Sequence, residues 1–292
     1  MVDTGSELID ICSKKKMKIW EYVVEEEMKS QDISREEVFK TMTKNFCVMR
    51  DSAEYGLTHK IKSISGLIGG DAYRLNKYHE EGKTLTGKYM VKAMARALSC
   101  SEVNAAMGKV VAAPTAGSCG IIPGAIITAG EILGKKDEDM IKALFTASGI
   151  GIIIAKNASM SGAEGGCQAE CGSAAAMAAA GIVEIMEGTP TQALDAAAIV
   201  IKNIMGLVCD PVAGLVEIPC AKRNVSGTVS ALTTADMVMA GVCSKIPFDD
   251  TVLAMYKVGR QMPCELRETA LGGVAVTDTG LKLKEKVLGS NI

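Results

Sequence analysis

Apolar residues recur at helical spacing along the first sixty positions. Leu8, Ile11, Met17, Trp20, Val23 and Val24 share one face of a helix over residues 6–29. Ser34 and Glu37 form a capping box that opens a second amphipathic helix to about Leu57. The stretch Ser65-Gly-Leu-Ile-Gly-Gly-Asp71 breaks the period, and its glycines mark a turn or a close backbone approach. Helix resumes from about Thr86 to Leu98. Further on, Pro123 and Pro190 sit where a first helical turn accepts proline, predicting helices to about Leu133 and to about Val208. The apolar runs Ala143–Ala155 and Cys171–Val183 have the length of buried core helices. Val110 to Gly130 carries no charge over 21 residues, enough to span a bilayer by count. Its prolines, glycines and hydroxyls would leave backbone groups unpaired in lipid, so it reads as a buried loop between helices.

Charge density follows the same division. Residues 1–100 hold 32 of the 66 charged side chains, against 18 in residues 101–220 and 16 in residues 221–292, which makes the middle of the chain the interior. With 11 aromatic residues and 17 Met in 292 residues, the composition suits close-packed helices better than sheets. The expected fold is all-α or predominantly α, with buried Ala/Gly-rich helices joined by Gly-rich loops. A net charge of −2 without a long basic run argues against a nucleic-acid surface. The opening residues MVDTGSELID lack a secretory signal's basic and apolar blocks, so the expectation is a soluble cytoplasmic protein with reduced thiols and no membrane partner.

Ten cysteines are then the unusual count, and five lie on irregular polar loops: Cys119, Cys167, Cys171, Cys209 and Cys220. Structural zinc wants paired Cys or Cys with His; only Cys167 and Cys171 are so spaced, and His59 and His79 lie far upstream in charged segments, where they read as surface histidines. No phosphate-cradling glycine motif occurs. Lys156 beside Asn157 leaves a pyridoxal phosphate lyase open as an alternative, and a non-catalytic helical scaffold is another. An iron–sulfur cluster suits the residues better, because its thiolate ligands need not be adjacent in sequence and neighbouring glycines free N–H groups for the sulfides. Spacing does not choose among the five thiols.

Several ordered motifs resemble the iron–sulfur L-serine dehydratases: Ala113-Pro-Thr-Ala-Gly-Ser118, Asn157-Ala-Ser, Ser161-Gly-Ala-Glu164 with Gly166-Cys167-Gln168, Cys209-Asp-Pro-Val212, Pro219-Cys220 with Arg223-Asn224, and Arg267-Glu-Thr269 with Gly272-Gly273. The length resembles the α chain of the two-chain bacterial form. The resemblance implies a [4Fe–4S] cluster on Cys167, Cys209 and Cys220, acting as Lewis acid in the conversion of L-serine to pyruvate and ammonia. Cys171 and Cys119 are then loop or core thiols. It further implies one catalytic domain over residues 1–292, with 1–100 an outer helical layer and 101–292 the cluster-binding core. Substrate contacts are expected from Thr115, Gly117 and Ser118, with Arg223 or Arg267 as a charged clamp. Thr115 and Ser118 also read as plain helix-entry hydrogen bonders. A β chain is the implied partner and a source of the acid/base group, which no residue here identifies. Single-chain relatives place a C-terminal cysteine on the cluster, where this chain reads Gly289-Ser-Asn-Ile292, and Lys202-Asn203 replaces a histidine common in the family.

Overall fold

The computed structural model describes residues 1–289; the carboxy-terminal positions 290–292, where the expectation of a missing fourth cysteine falls, lie outside the described residues. Thirteen α-helices form among the described residues, and strand pairing is limited to two isolated bridges, Lys62 with Gly69 and Cys209 with Arg267. The predominantly helical expectation holds. Among the described residues, no helix is long and apolar enough to cross a membrane.

The amino-terminal periodicity divides into two helices, α1 (Gly5–Lys15) and α2 (Ile19–Gln31), instead of one. Lys16 takes a left-handed conformation at φ 53° and its N–H returns to the Cys12 and Ser13 carbonyls, closing α1 before the apolar stripe runs out. The capping box at Ser34 opens α3 (Arg35–Thr58), as its spacing predicts. The glycine-rich segment is a close approach: Gly69 sits at φ 154° with the Lys62 Cα 2.9 Å from where a Cβ would stand. It leads into α4 (Asp71–Glu80), whose first N–H groups are capped by Glu102.

Helix α5 (Lys88–Ala105) belongs to the charge-dense first part of the chain yet is buried against α3, α4, α6 and α11. Its Arg96, 3% exposed, is satisfied by Glu54, Glu131 and the Thr128 hydroxyl. The chargeless stretch from Val110 is a loop only as far as Gly120, because Ile121–Gly130 belongs to α6 (Ile121–Ile132). After α7 (Asp137–Asn157), the short α8 (Gly162–Gly165) and a π-helical turn (Gln168–Gly172) lead into α9 (Ser173–Ile185). Helix α9 is buried along almost its whole length and packs against α6, α7, α10 (Pro190–Ile204) and α11 (Cys220–Met239). Its small side chains allow that proximity: a Cβ on Gly181 would stand 3.0 Å from the Ala143 carbonyl of α7. Helices α12 (Phe248–Gln261) and α13 (Asp278–Leu288) complete the chain.

Candidate metal centre

The loops before α9, after α10 and at the start of α11 converge on one buried region. Cys167 is fixed by its neighbour Gln168, whose Nε2 donates to the Met255 carbonyl at 3.0 Å and whose Oε1 accepts the Gly206 N–H at 2.9 Å. Cys209 is held by backbone pairing: its N–H donates to Leu266 at 2.8 Å, and its carbonyl accepts from Glu268 at 2.7 Å. Cys220 is the first residue of α11, behind Pro219. All three thiols are buried, as is Cys171.

Glycine shapes the space beside Cys209. A Cβ on Gly162 would stand 3.0 Å from the Cys209 sulfur, 2.9 Å from Glu268 Oε2 and 3.4 Å from Glu170 Oε2, so only a residue without a side chain leaves that cradle open. The sulfurs of Cys167 and Cys171 and a carboxylate oxygen of Glu170 all lie within 4.8 Å of one another. That compact set suits a single ion. A cluster can also take thiolates that are far apart in sequence, as Cys167, Cys209 and Cys220 are. The donor chemistry of three buried thiols therefore fits a cluster.

Electrostatics also joins the three. Burial first, and then charge on Cys167, push the Cys209 thiol well up and the Cys220 thiol up to about 12. Cys167 moves the other way: the Cys171 thiol donates to its sulfur, and the Arg223 guanidinium favours the thiolate. Metal binding would reverse the burial penalty, since a coordinated thiol is held deprotonated. Cys119 is apart from this group, its thiol directed at the Cys100 carbonyl, 3.7 Å away on α5.

The expected substrate residues divide. Thr115 caps the short 3-10 turn Ala116–Ser118, and its hydroxyl lies 3.2 Å from that of Ser118 while donating to Glu170 Oε1. Gly117 lies against the Glu170 carboxyl group, with the carboxyl carbon 3.0 Å from where a Cβ would be. Arg223 is already engaged, paired with Asp210 at 2.8 Å and donating to the Val208 carbonyl at 2.8 Å, so it is an internal cation rather than a free clamp. Arg267 is different: its buried Nε has no partner among the described residues. Lys156, the Schiff-base alternative, is occupied by Asp3 at 2.6 Å and by the carbonyls of Met1 and Val2. His59 is exposed and stacked on Tyr55; His79 is only half-buried, with its Nδ1 enclosed and unpaired, a departure from a fully solvated ring.

Glu170 is the residue that sequence reasoning passed over. It is buried, its carboxyl is pushed above the usual carboxylate range by burial, and Thr115 and Arg223 only partly offset this. The available signal was its isolation, as the lone charge between Glu164 and Glu184.

Comparison with known proteins identifies the family. The family described as "Serine dehydratase alpha chain" matches residues 14–275. The chain is 48% identical over 283 residues to "Probable L-serine dehydratase, alpha chain" of Bacillus subtilis, covering 97% of this chain and 94% of that one. It is 48% identical over 288 residues to "L-serine dehydratase, alpha chain" of Peptoniphilus asaccharolyticus, covering 99% of each. It is also 36% identical over 281 residues to "L-serine dehydratase" of Streptomyces coelicolor, covering 94% of this chain but only 60% of that longer relative. With the match running through all three cysteine loops, the chain belongs to the serine dehydratase alpha chain family.

Proposed function

We propose that this chain is the cluster-bearing α chain of an L-serine dehydratase, an ammonia-lyase that converts L-serine to pyruvate and ammonia. The observation that carries the assignment is the match to the serine dehydratase alpha chain family over residues 14–275, a span that contains the buried thiols Cys167, Cys209 and Cys220. Those three thiolates hold a [4Fe–4S] cluster. When bound there, the cluster supplies a Lewis acid that weakens the C–O bond of the serine hydroxyl.

The chain's own residues supply the rest. Arg223, held by Asp210 in the buried site, offsets the negative charge of the thiolates. Arg267, whose backbone pairs with Cys209, offers its unpartnered Nε–H to the substrate carboxylate. Glu170 takes the Cα proton at Oε2, the oxygen that faces the Gly162 cradle, while Thr115 fixes Oε1. A carboxylate displaced upward in pKa by burial is a stronger base than a solvated one, as removal of a weakly acidic Cα proton requires. The aminoacrylate formed tautomerises to an imine and hydrolyses to pyruvate and ammonia.

A β chain completes the enzyme. The α-chain names of the two-chain relatives and the greater length of the Streptomyces coelicolor protein support this reading. The test is iron and sulfide analysis with L-serine turnover after anaerobic reconstitution with the β chain. Wild type should hold a cluster and turn over; Cys209→Ala should lose both, by at least ~100-fold in turnover. Full cluster content and full activity in Cys209→Ala would remove Cys209 from the ligand set.

A further inference from the structure

One buried amide joins the loop beside Glu170 to the helix that begins at Cys220. Asn224 lies one turn into α11 and is 1% exposed. Its Nδ2 donates to the Gly117 carbonyl at 2.7 Å and to the Cys220 carbonyl at 3.0 Å, while its Oδ1 accepts the Gly120 N–H at 2.9 Å. Both N–H bonds and one oxygen lone pair are thus used, and all three partners are backbone groups. The orientation is therefore fixed: a flipped amide would set N–H against N–H and oxygen against two carbonyls. On the opposite side, the Gly120 backbone runs against Ala97 of α5, with the Ala97 carbonyl carbon 3.0 Å from where a Cβ would be. The loop 115–118 has α5 behind it and Asn224 as its link to Cys220.

That placement differs from a helix cap or a filler of a polar hole. The three bonds reach the loop at Gly117 and Gly120 and the α11 backbone at Cys220, so the amide sets the distance between Thr115–Ser118 and the cysteine. The cysteine itself stays anchored by the α11 backbone, because the Cys220 carbonyl also belongs to the helix ladder. Removing the amide should therefore release the loop while leaving the thiol in place.

We propose that Asn224 is a positioning residue that fixes the substrate loop 115–118 relative to Cys220, so that its loss weakens L-serine binding without emptying the cluster site. The proposal rests on the functional reading above. Asn224→Asp keeps the shape and the acceptor for Gly120 but sets an oxygen against the Gly117 and Cys220 carbonyls. Asn224→Ala removes all three bonds.

The experiment uses the enzyme reconstituted anaerobically with its β chain. It measures iron and sulfide per chain, helicity by circular dichroism, and kcat and KM for L-serine separately. Both variants should keep wild-type helicity and cluster content, with KM raised ~10–100-fold and kcat lowered as well, because Thr115 on the same loop fixes Glu170 Oε1. An unchanged KM overturns the proposal. Iron and sulfide falling in step with activity also overturns it, by assigning Asn224 to the cysteine rather than the loop. Loss of helicity in both variants overturns it in favour of a purely structural role. Wild type that holds a cluster yet leaves L-serine intact defeats the functional reading, and the proposal falls with it.

Discussion

Helices α7 and α9 and the loops that carry the cysteines lie side by side, yet they are held by different physics. The helices are joined by area. Ala174, Ala175, Ala176, Ala178, Ala179 and Ala180 of α9 are fully buried, as are Ile150 and Ile154 of α7, and dispersion spread over many contacts stabilises the pair. The loops bury little large apolar surface and are fixed by single polar groups: Gln168 beside Cys167, Asp210 beside Cys209, and Asn224 behind Cys220. A region held by area tolerates the loss of one hydrogen bond. A region held by single bonds does not, but losing one there leaves the rest of the fold intact. Stability and function are therefore separable by mutation.

The largest expected effect is on the helical side. Ile150→Ala opens a cavity at a fully buried position and should lower stability by ~2–5 kcal/mol. Thermal and denaturant unfolding measure this. Iron per folded chain should remain at the wild-type level, and a loss of cluster at temperatures where the variant is still folded would show that the two regions are not separable.

The loop side should respond in the opposite sense. Gly162→Ala adds one methyl at a position 3.0 Å from the Cys209 sulfur and 2.9 Å from Glu268 Oε2. Glu268 is exposed and can swing away, whereas Cys209 is pinned by its backbone bonds to Leu266 and Glu268. Crowding of this kind costs about 1–3 kcal/mol, which predicts a ~10–100-fold weaker retention of the cluster and a nearly unchanged melting temperature of the cluster-free chain. Iron titration and melting curves on the same preparation decide it. A large drop in melting temperature with normal iron uptake would break the comparison.

The same contrast explains what could be read from the sequence. The capping box at Ser34 and the first-turn proline Pro190 are local, so they announce α3 and α10 directly. The end of α1 at Lys16 was hidden, because a lysine in the left-handed region leaves no compositional mark of the kind a glycine would leave. Burial of α5 was hidden too, since Arg96 is a charge satisfied by residues from α3 and α6, far away in the chain. At the site, the cysteine trio rests on the resemblance, since spacing does not choose among the five loop thiols. The contact of Glu170 with Thr115 and the engagement of Arg223 by Asp210 are tertiary facts that no local pattern encodes.

One residue sharpens the comparison, because it sets an ionisable group inside the region held by area. Glu184, near the end of α9, accepts from the Thr146 hydroxyl at 3.1 Å and stands 3.8 Å from the Lys18 ammonium. Burial pushes its carboxyl above the usual carboxylate range despite that lysine. The folded chain therefore holds the Glu184 proton more tightly than the unfolded chain does. Stability from this group is fully present below the ordinary carboxylate value and is lost as pH rises through the raised one. Glu184→Gln keeps the shape and an acceptor for Thr146 but cannot ionise, so it should remove that decline, leaving the variant relatively more stable at neutral pH than at pH 4. Lys18, which also donates to the Gly188 carbonyl at 2.9 Å and is partly exposed, loses only a long-range partner. Melting temperatures of both proteins across that range measure the effect. If the difference between them stays constant with pH, Glu184 ionises freely in the fold, and α9 is wetter at that end than its packing implies.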